Sequence, residues 1–311
     1  MNKKETIPND LKIRIQLLLT FSNRNLLEEN FKYRSFFLKF TKILNTINKG
    51  EKMFKIFIFG IIILSINSLN SEDFLIYSQS FNKLTKFIEI KNGAQLGTNG
   101  SGVSGKPSDK AYIAKVNNTS ESEQGPVGII KQDINVEALE EITLTLWYQA
   151  ENIQIDAATI LDAASLVLIR DNNGWTLRIS ADTDQKMYWF KTGKNAPYHD
   201  WLEPKQWIFI ACAWSMKKNE VIFYQGTKDN PVKIAKVSTR NDEVKGLIQR
   251  KNKEKFPDAI GNTFNAKYNR PFNGFIDNVK IFSKALDQNL IEQIRQDDIN
   301  NITSIIKMEK K

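Results

Sequence analysis

The chain of 311 residues holds a single cysteine, Cys212, and a single histidine, His199. One cysteine rules out an internal disulfide and any fold stapled by such bonds. Cys212 lies in the apolar run Ile208-Phe209-Ile210-Ala211-Cys212-Ala213-Trp214. With no cationic neighbour in the run to stabilise a thiolate, it reads as a small buried hydrophobe. A Ser-His-Asp hydrolase would have to be built around His199, and no Gly-x-Ser-x-Gly elbow accompanies it. Histidine and cysteine do not cluster at zinc spacing, and nucleotide binding is not expected. Repeats at a fixed period are also missing.

A strong charge of one sign is lacking where it would matter. The formal net charge is +9, but it is unevenly placed. Residues 1–52 carry 11 Lys/Arg against 5 Asp/Glu, whereas residues 72–311 carry 32 against 30. A nucleic-acid binder needs a basic face that tracks phosphates, and this body is nearly neutral. The one dense run, Lys245, Arg250, Lys251, Lys253 and Lys255 against Glu254, reads as a solvated loop.

A long apolar run does occur, but a short one by membrane standards. Lys52 and Lys55 flank Met53, the apolar segment Ile56–Ile66 follows, and Ser65, Ser68 and Ser71 come next. Basic region, apolar core and small residues are the layout of a secretory signal peptide over residues 53–71, with Ser68 or Ser71 as the last leader residue. The run is short of the roughly 20 residues of a spanning helix, so membrane contact is expected only in transit. A signal anchor, with residues 1–52 kept in the cytoplasm, is the alternative. Residues 1–52 are either an upstream extension before a start at Met53 or a long leader. The run Leu11–Leu19 gives that leader a helical pattern.

From Phe74 onward the pattern is that of strands. Ile142, Leu144, Leu146 and Tyr148 alternate with Thr143 and Thr145, which predicts a half-buried strand. Thr159–Ile169 is apolar, Asp171–Gly174 is a turn, and Trp175, Leu177 and Ile179 alternate inward. Asp182-Thr183-Asp184 makes a turn before a strand over Lys186–Phe190, and Trp207–Trp214 is a long buried strand. Glu220–Gln225 pairs with Val232–Val237 as a hairpin. Asp287 caps a short helix holding Leu290, Ile291 and Ile294, with Leu286 stapled on Ile291. A tail begins at 298 and runs to 311. The expected class is an all-β antiparallel sandwich, a jelly roll of two packed sheets over residues 72–297, with that short C-terminal helix and the helical leader.

The ordered set Trp147, Gly174-Trp175-Thr176-Leu177-Arg178, Leu202–Trp207, Tyr224-Gln225-Gly226, Ile260-Gly261-Asn262, Phe272–Ile281 and Ala285-Leu286 resembles the laminin G-like, concanavalin A-like lectin/glucanase jelly rolls over roughly residues 74–297. Gln225 departs from the polar turn residue, such as Asp or Asn, usual before that glycine. The resemblance implies the fold and leaves function open among lectins, adhesion modules, glycosidase accessories and some enzymes. Glycosidases of this fold place a Glu-x-Asp-x-x-Glu set on one strand, which this sequence lacks. Its adjacent acid pairs, Glu140-Glu141 and Asp297-Asp298, would diverge on a strand.

Alternation places Phe275, Asp277, Val279 and Ile281 on one face of a strand. An acid there needs a partner: either backbone N–H groups of an adjoining loop or a structural Ca²⁺, which the resemblance implies near this point. Asp182 and Asp184 are a further cation possibility or simply a turn. Sugars stack on exposed rings, so Tyr188 and Phe190, with Trp189 opposing them, and Tyr198 and Trp201 beside His199 are the candidate ligand platform. The reading is a secreted, periplasmic or cell-surface module that binds a glycan or an extracellular protein without catalysis. The alternatives are an enzyme of the same fold with an unrecognised site, or a structural or adhesion component of the envelope.

Overall fold

Fifteen strands and one helix make up the regular structure of the described residues. The computed structural model describes residues 74–301 apart from 84–85, 115–124, 137, 153–156, 164, 172–173, 182–185, 194–203, 243, 245–256 and 264–268. All of these lie within Asn70–Lys311, which packs as one unit. The expected leader, its cleavage positions Ser68 and Ser71, and residues 302–311 fall outside the described residues.

In chain order the strands are β1 (Leu75–Gln79), β2 (Ile88–Lys91), β3 (Gln95–Leu96), β4 (Tyr112–Ala114), β5 (Val127–Ile130), β6 (Glu141–Ala150), β7 (Ala158–Ala163) and β8 (Leu166–Asp171). They continue as β9 (Gly174–Ala181), β10 (Lys186–Lys191), β11 (Ile208–Ser215), β12 (Glu220–Thr227), β13 (Lys233–Thr239), β14 (Asp258–Ile260) and β15 (Gly274–Phe282), followed by helix α1 (Gln288–Asn300). One sheet has the order β13-β12-β11-β6-β15-β4-β3, with β1 also on β15; the other runs β10-β9-β8-β7-β14-β5-β2. All pairings are antiparallel. The chain is therefore the jelly-roll sandwich that its alternation predicted.

Strand parity builds the core. Ile208, Ile210, Cys212 and Trp214 of β11 join Leu144, Leu146 and Tyr148 of β6 and Trp175, Leu177 and Ile179 of β9 between the sheets. The odd-numbered side of β11 is apolar as well. Phe209, Ala211 and Ala213 form a second core with Trp147, Tyr224, Leu286, Ile291 and Ile294. That second core is why β11 reads as an unbroken apolar run: one face meets the opposite sheet and the other meets α1. It also corrects the half-buried reading of β6, because Thr143 and Thr145 are fully buried. The Thr143 hydroxyl donates to the Lys284 carbonyl at 2.6 Å and accepts from the Leu286 N–H at 2.8 Å, which tethers the approach to α1.

Asp287 caps α1, its carboxylate accepting the Asn289 and Leu290 N–H groups at 3.0 Å each. Leu286 packs with Ile291 in the second core, as the staple pattern predicted. The helix runs past the expected boundary at 297 and ends at Asn301, whose left-handed backbone (φ 48°) closes it. Asp298 is buried within the fold and is not part of a frayed tail. None of the helices among the described residues is long and apolar enough to cross a membrane.

Candidate functional site

Two places combine chemistry with geometry: a group of buried acids under α1 and the outer face of the second sheet. Asp277 belongs to the first. The register of β15 against β6 shifts between Asp277 and Lys280, and Asn278 takes φ 47°. Asparagine tolerates that left-handed turn better than most residues. The extra residue breaks the alternation. Val279 and Ile281 stay in the core between the sheets, while Asp277 pairs across from Trp147 on the side facing α1. The expectation that these three share a face is thus overturned by a bulge.

Asp277 is fully buried. Its Oδ2 accepts the Val103 N–H at 2.9 Å and its Oδ1 accepts the Asn278 N–H at 2.8 Å. Asp109 lies nearby, also buried, with Oδ2 accepting the Ser104 N–H at 2.7 Å. Its carboxylate sits where a Cβ on Gly102 would stand, with 2.4 Å between them, so the glycine is what admits it. Burial holds the Asp277 carboxyl well above the ordinary carboxylate range; Asp109 pushes the same way, and the Val103 N–H opposes them. Asp298 completes the group. Burial raises it too, offset by Lys280 and Trp147, whose Nζ and indole N–H donate to its two oxygens at 2.6 and 3.1 Å.

The residues here do not fit a calcium cage. Three of the four oxygens on Asp109 and Asp277 already face N–H dipoles, which repel a cation. Ca²⁺ takes roughly 6–8 oxygen ligands, and among the described residues three or more acidic, His or Cys side chains nowhere come together to hold a metal. The hydrogen-bonded alternative is the one the geometry favours. Gly100–Lys106 has glycines and a lysine at phosphate-loop spacing, but Pro107 follows and the segment leads into β4 and not a helix, so it is no phosphate cradle.

The second place is the outer face of the second sheet. Antiparallel pairing lines up Trp189, Arg178, Val167, Asp162, Ala259, Ile129 and Glu89 across all seven strands. On β10, Met187, Trp189 and Lys191 point outward; Met187 is 50% and Trp189 37% exposed. The Arg178 guanidinium lies 5.7 Å from the Trp189 ring centroid, and Thr176 faces Lys191 across the pair. Next to this face, Arg240 beyond β13 donates to the Trp189 carbonyl at 2.9 Å. Its guanidinium is paired with Asp242 at 2.7 Å, which also holds Lys186 at 3.3 Å.

The rings expected to form a platform are placed differently. Tyr188 and Phe190 are fully buried between the sheets and offer no face to solvent. Ala181 pairs with Lys186, so Tyr188 meets Ile179 and Phe190 meets Leu177, both inward residues. Carrying that parity from Ala181 to Lys186, which pair with each other, would have pointed to Trp189 and Arg178 from the sequence. Asp109 had no such signal, because its role depends on a loop meeting a distant bulge. Tyr198, Trp201, His199, Asp182, Asp184 and the basic run at 245–255 fall outside the described residues.

A family model described as the concanavalin A-like lectin/glucanases superfamily matches residues 128–292. Among solved structures, the receptor binding domain of botulinum neurotoxin mosaic serotype C/D is similar at 14% identity and TM-score 0.48, covering 73% of this chain and 51% of that one. The botulinum neurotoxin serotype D/C VPI 5993 binding domain is similar at 13% identity and TM-score 0.48, covering 74% and 53%. The botulinum neurotoxin DC binding domain in complex with rat synaptotagmin II gives 14%, 0.48, 74% and 52%. The match thus spans about half the length of these structures. A comparison with curated proteins finds no match.

Proposed function

This chain belongs to the concanavalin A-like lectin/glucanases superfamily, and on that premise we propose that it is an exported, non-catalytic module that binds a glycan. The observation that carries the reading is the Trp189 indole, 37% exposed on a sheet face with a guanidinium beside it. A pyranose presents apolar C–H groups on one face and hydroxyls around its edge. The indole takes the first, while the Arg178 guanidinium and the Lys191 ammonium donate to the second. Export rests on Lys52, Lys55 and the apolar run Ile56–Ile66.

The absence of catalysis rests on where the acids are. Asp109, Asp277 and Asp298 are near one another but buried, so a polysaccharide has no path to them. A glycosidase needs two carboxyl groups facing one opening, roughly 5–9.5 Å apart. The test is a glycan array run with and without calcium, followed by incubation of each bound polymer with the protein. Saturable binding to a glycan class without release of reducing ends is expected. Turnover of any polymer, or an empty array with capture of a cell-surface protein instead, would overturn the reading.

A further inference from the structure

We propose that Asn99 is a glycosylation site: during export its side-chain amide takes an oligosaccharide from a polyprenyl-diphosphate donor. This rests on the export part of the reading above and on neither sheet face. Asparagine with Ser or Thr two places on occurs at Asn99, Asn117, Asn118 and Asn301, the pattern of an N-glycan acceptor in an exported chain. Asn117 and Asn118 fall outside the described residues. The other two stand in opposite surroundings, and the contrast singles out Asn99.

Asn99 is exposed, in the turn Thr98–Ser101 that the Ser101 N–H closes on the Thr98 carbonyl at 3.1 Å. Gly100 supplies φ 78° at the third position, where a type II turn requires it. Both flanks are anchored by backbone: the Gly97 N–H donates to the Ala111 carbonyl and the Gly100 N–H to the Asp109 carbonyl, at 2.8 Å each. The turn therefore holds without the Asn99 side chain, whose amide makes no hydrogen bond among the described residues. Asn301 is committed elsewhere. It closes α1 with φ 48°, is half-buried, and its Nδ2 donates to Ser108 Oγ at 3.3 Å, so a saccharide on that nitrogen would crowd the loop before β4. Transfer occurs on a chain that has yet to fold, so the fold favours the acceptor whose glycan it can accommodate. In the step, the Asn99 Nδ2 forms a bond to the anomeric carbon and gives up one proton. The bond from that carbon to the diphosphate oxygen breaks, and the lipid diphosphate leaves with the electron pair. The glycan would stand beside β3, the end strand of the first sheet, which among the described residues pairs with β4 alone. A bulky, hydrated group there keeps other strands off an open edge.

The test is mass spectrometry of the full chain made with its leader in a eukaryotic secretory host. Release of glycans by a peptide-N-glycosidase in heavy-oxygen water marks each asparagine that was occupied. The mark is expected at Asn99, and the protein should lose one step of gel mobility shift in Asn99→Gln and in Ser101→Ala. Ser101 Oγ also accepts the Ala111 N–H at 3.2 Å, so if Ser101→Ala folds poorly, Asn99→Gln at its exposed position and the mark on the unaltered chain remain decisive. An exported chain with Asn99 unmarked, or marked at Asn301 and not at Asn99, would overturn the inference and leave the export reading in place. A mobility shift that survives Asn99→Gln unchanged would overturn it too. A chain that stays in the cytosol, with no mark at any of the four asparagines, would overturn both.

Discussion

Replacing Arg295 by methionine should cost about 1.5–3 kcal/mol of stability at neutral pH, because the guanidinium is buried while its partner Glu292 keeps some contact with water. Arg295 is only 2% exposed. Its Nε and Nη2 donate to the two oxygens of Glu292 at 2.9 and 2.7 Å. Its Nη1 donates to the carbonyls of Thr227 and Lys228, at the tip of the β12–β13 hairpin. Gly226 stands against its stem, where an added Cβ would come within 2.9 Å of Cδ. The residue thus bolts α1 to a hairpin some 70 positions earlier, and methionine keeps most of the packing but none of the donors. That is the range for hydrogen bonds to charged groups, and losing them puts the effect well above that of a surface pair. The pH dependence separates this account from simple loss of packing. Burial alone would raise the Glu292 carboxyl, but Arg295, the Val232 N–H and Gln296 outweigh it and bring it down to about 2. A depressed carboxyl contributes stability that is complete above its unfolded value, near 4.5, and is lost as the pH falls towards 2. Urea unfolding at pH 7 and at pH 2 should therefore show a large gap between wild type and Arg295→Met at the higher pH and a much smaller one at the lower. A loss below about 1 kcal/mol at pH 7, or an equal loss at both pH values, would refute the reasoning.

Asp277 carries the opposite sign. Its carboxyl is held above its unfolded value, so the folded state binds the extra proton and stability declines as pH climbs from about 4. Thermal midpoints of Asp277→Asn should fall less between pH 4.5 and 7.5 than those of the wild type; parallel profiles would contradict the placement. Because Asp109 and Asp277 are held by N–H groups, EDTA or added calcium should leave the midpoint unchanged, and a calcium-dependent rise would show a cage that the hydrogen-bonded geometry does not describe. The Cys212 thiol is fully buried and pushed far up by that burial, so a water-soluble disulfide reagent should react with it only after unfolding, and rapid labelling of native protein would argue against the core position.

Strand parity made most of the sandwich readable. The inward set Trp175, Leu177 and Ile179, the β12–β13 hairpin and the Asp287 cap all follow from local pattern and turn chemistry. Two features did not. The buried threonines of β6 look solvent-facing because nothing local announces that α1 will cover them. The bulge at Asn278 moves Asp277 to the other face through one left-handed residue, a change that alternation cannot register. Trp189 was within reach, but only by carrying the facing of β9 over to its antiparallel partner β10.

The position of β15 also governs when this protein can fold. It lies next to β6 along nearly its whole length, and its other side carries β4 near Gly274 and β1 near Phe282. Ribosomes release it after every other strand, and α1 later still. Until then the middle of the first sheet is a gap, and the surface bearing Trp147, Phe209 and Tyr224 has no cover. Closing that gap joins residues separated by well over a hundred positions, which makes for slow maturation. A nascent chain delivered to an export channel would accordingly arrive before its architecture can lock.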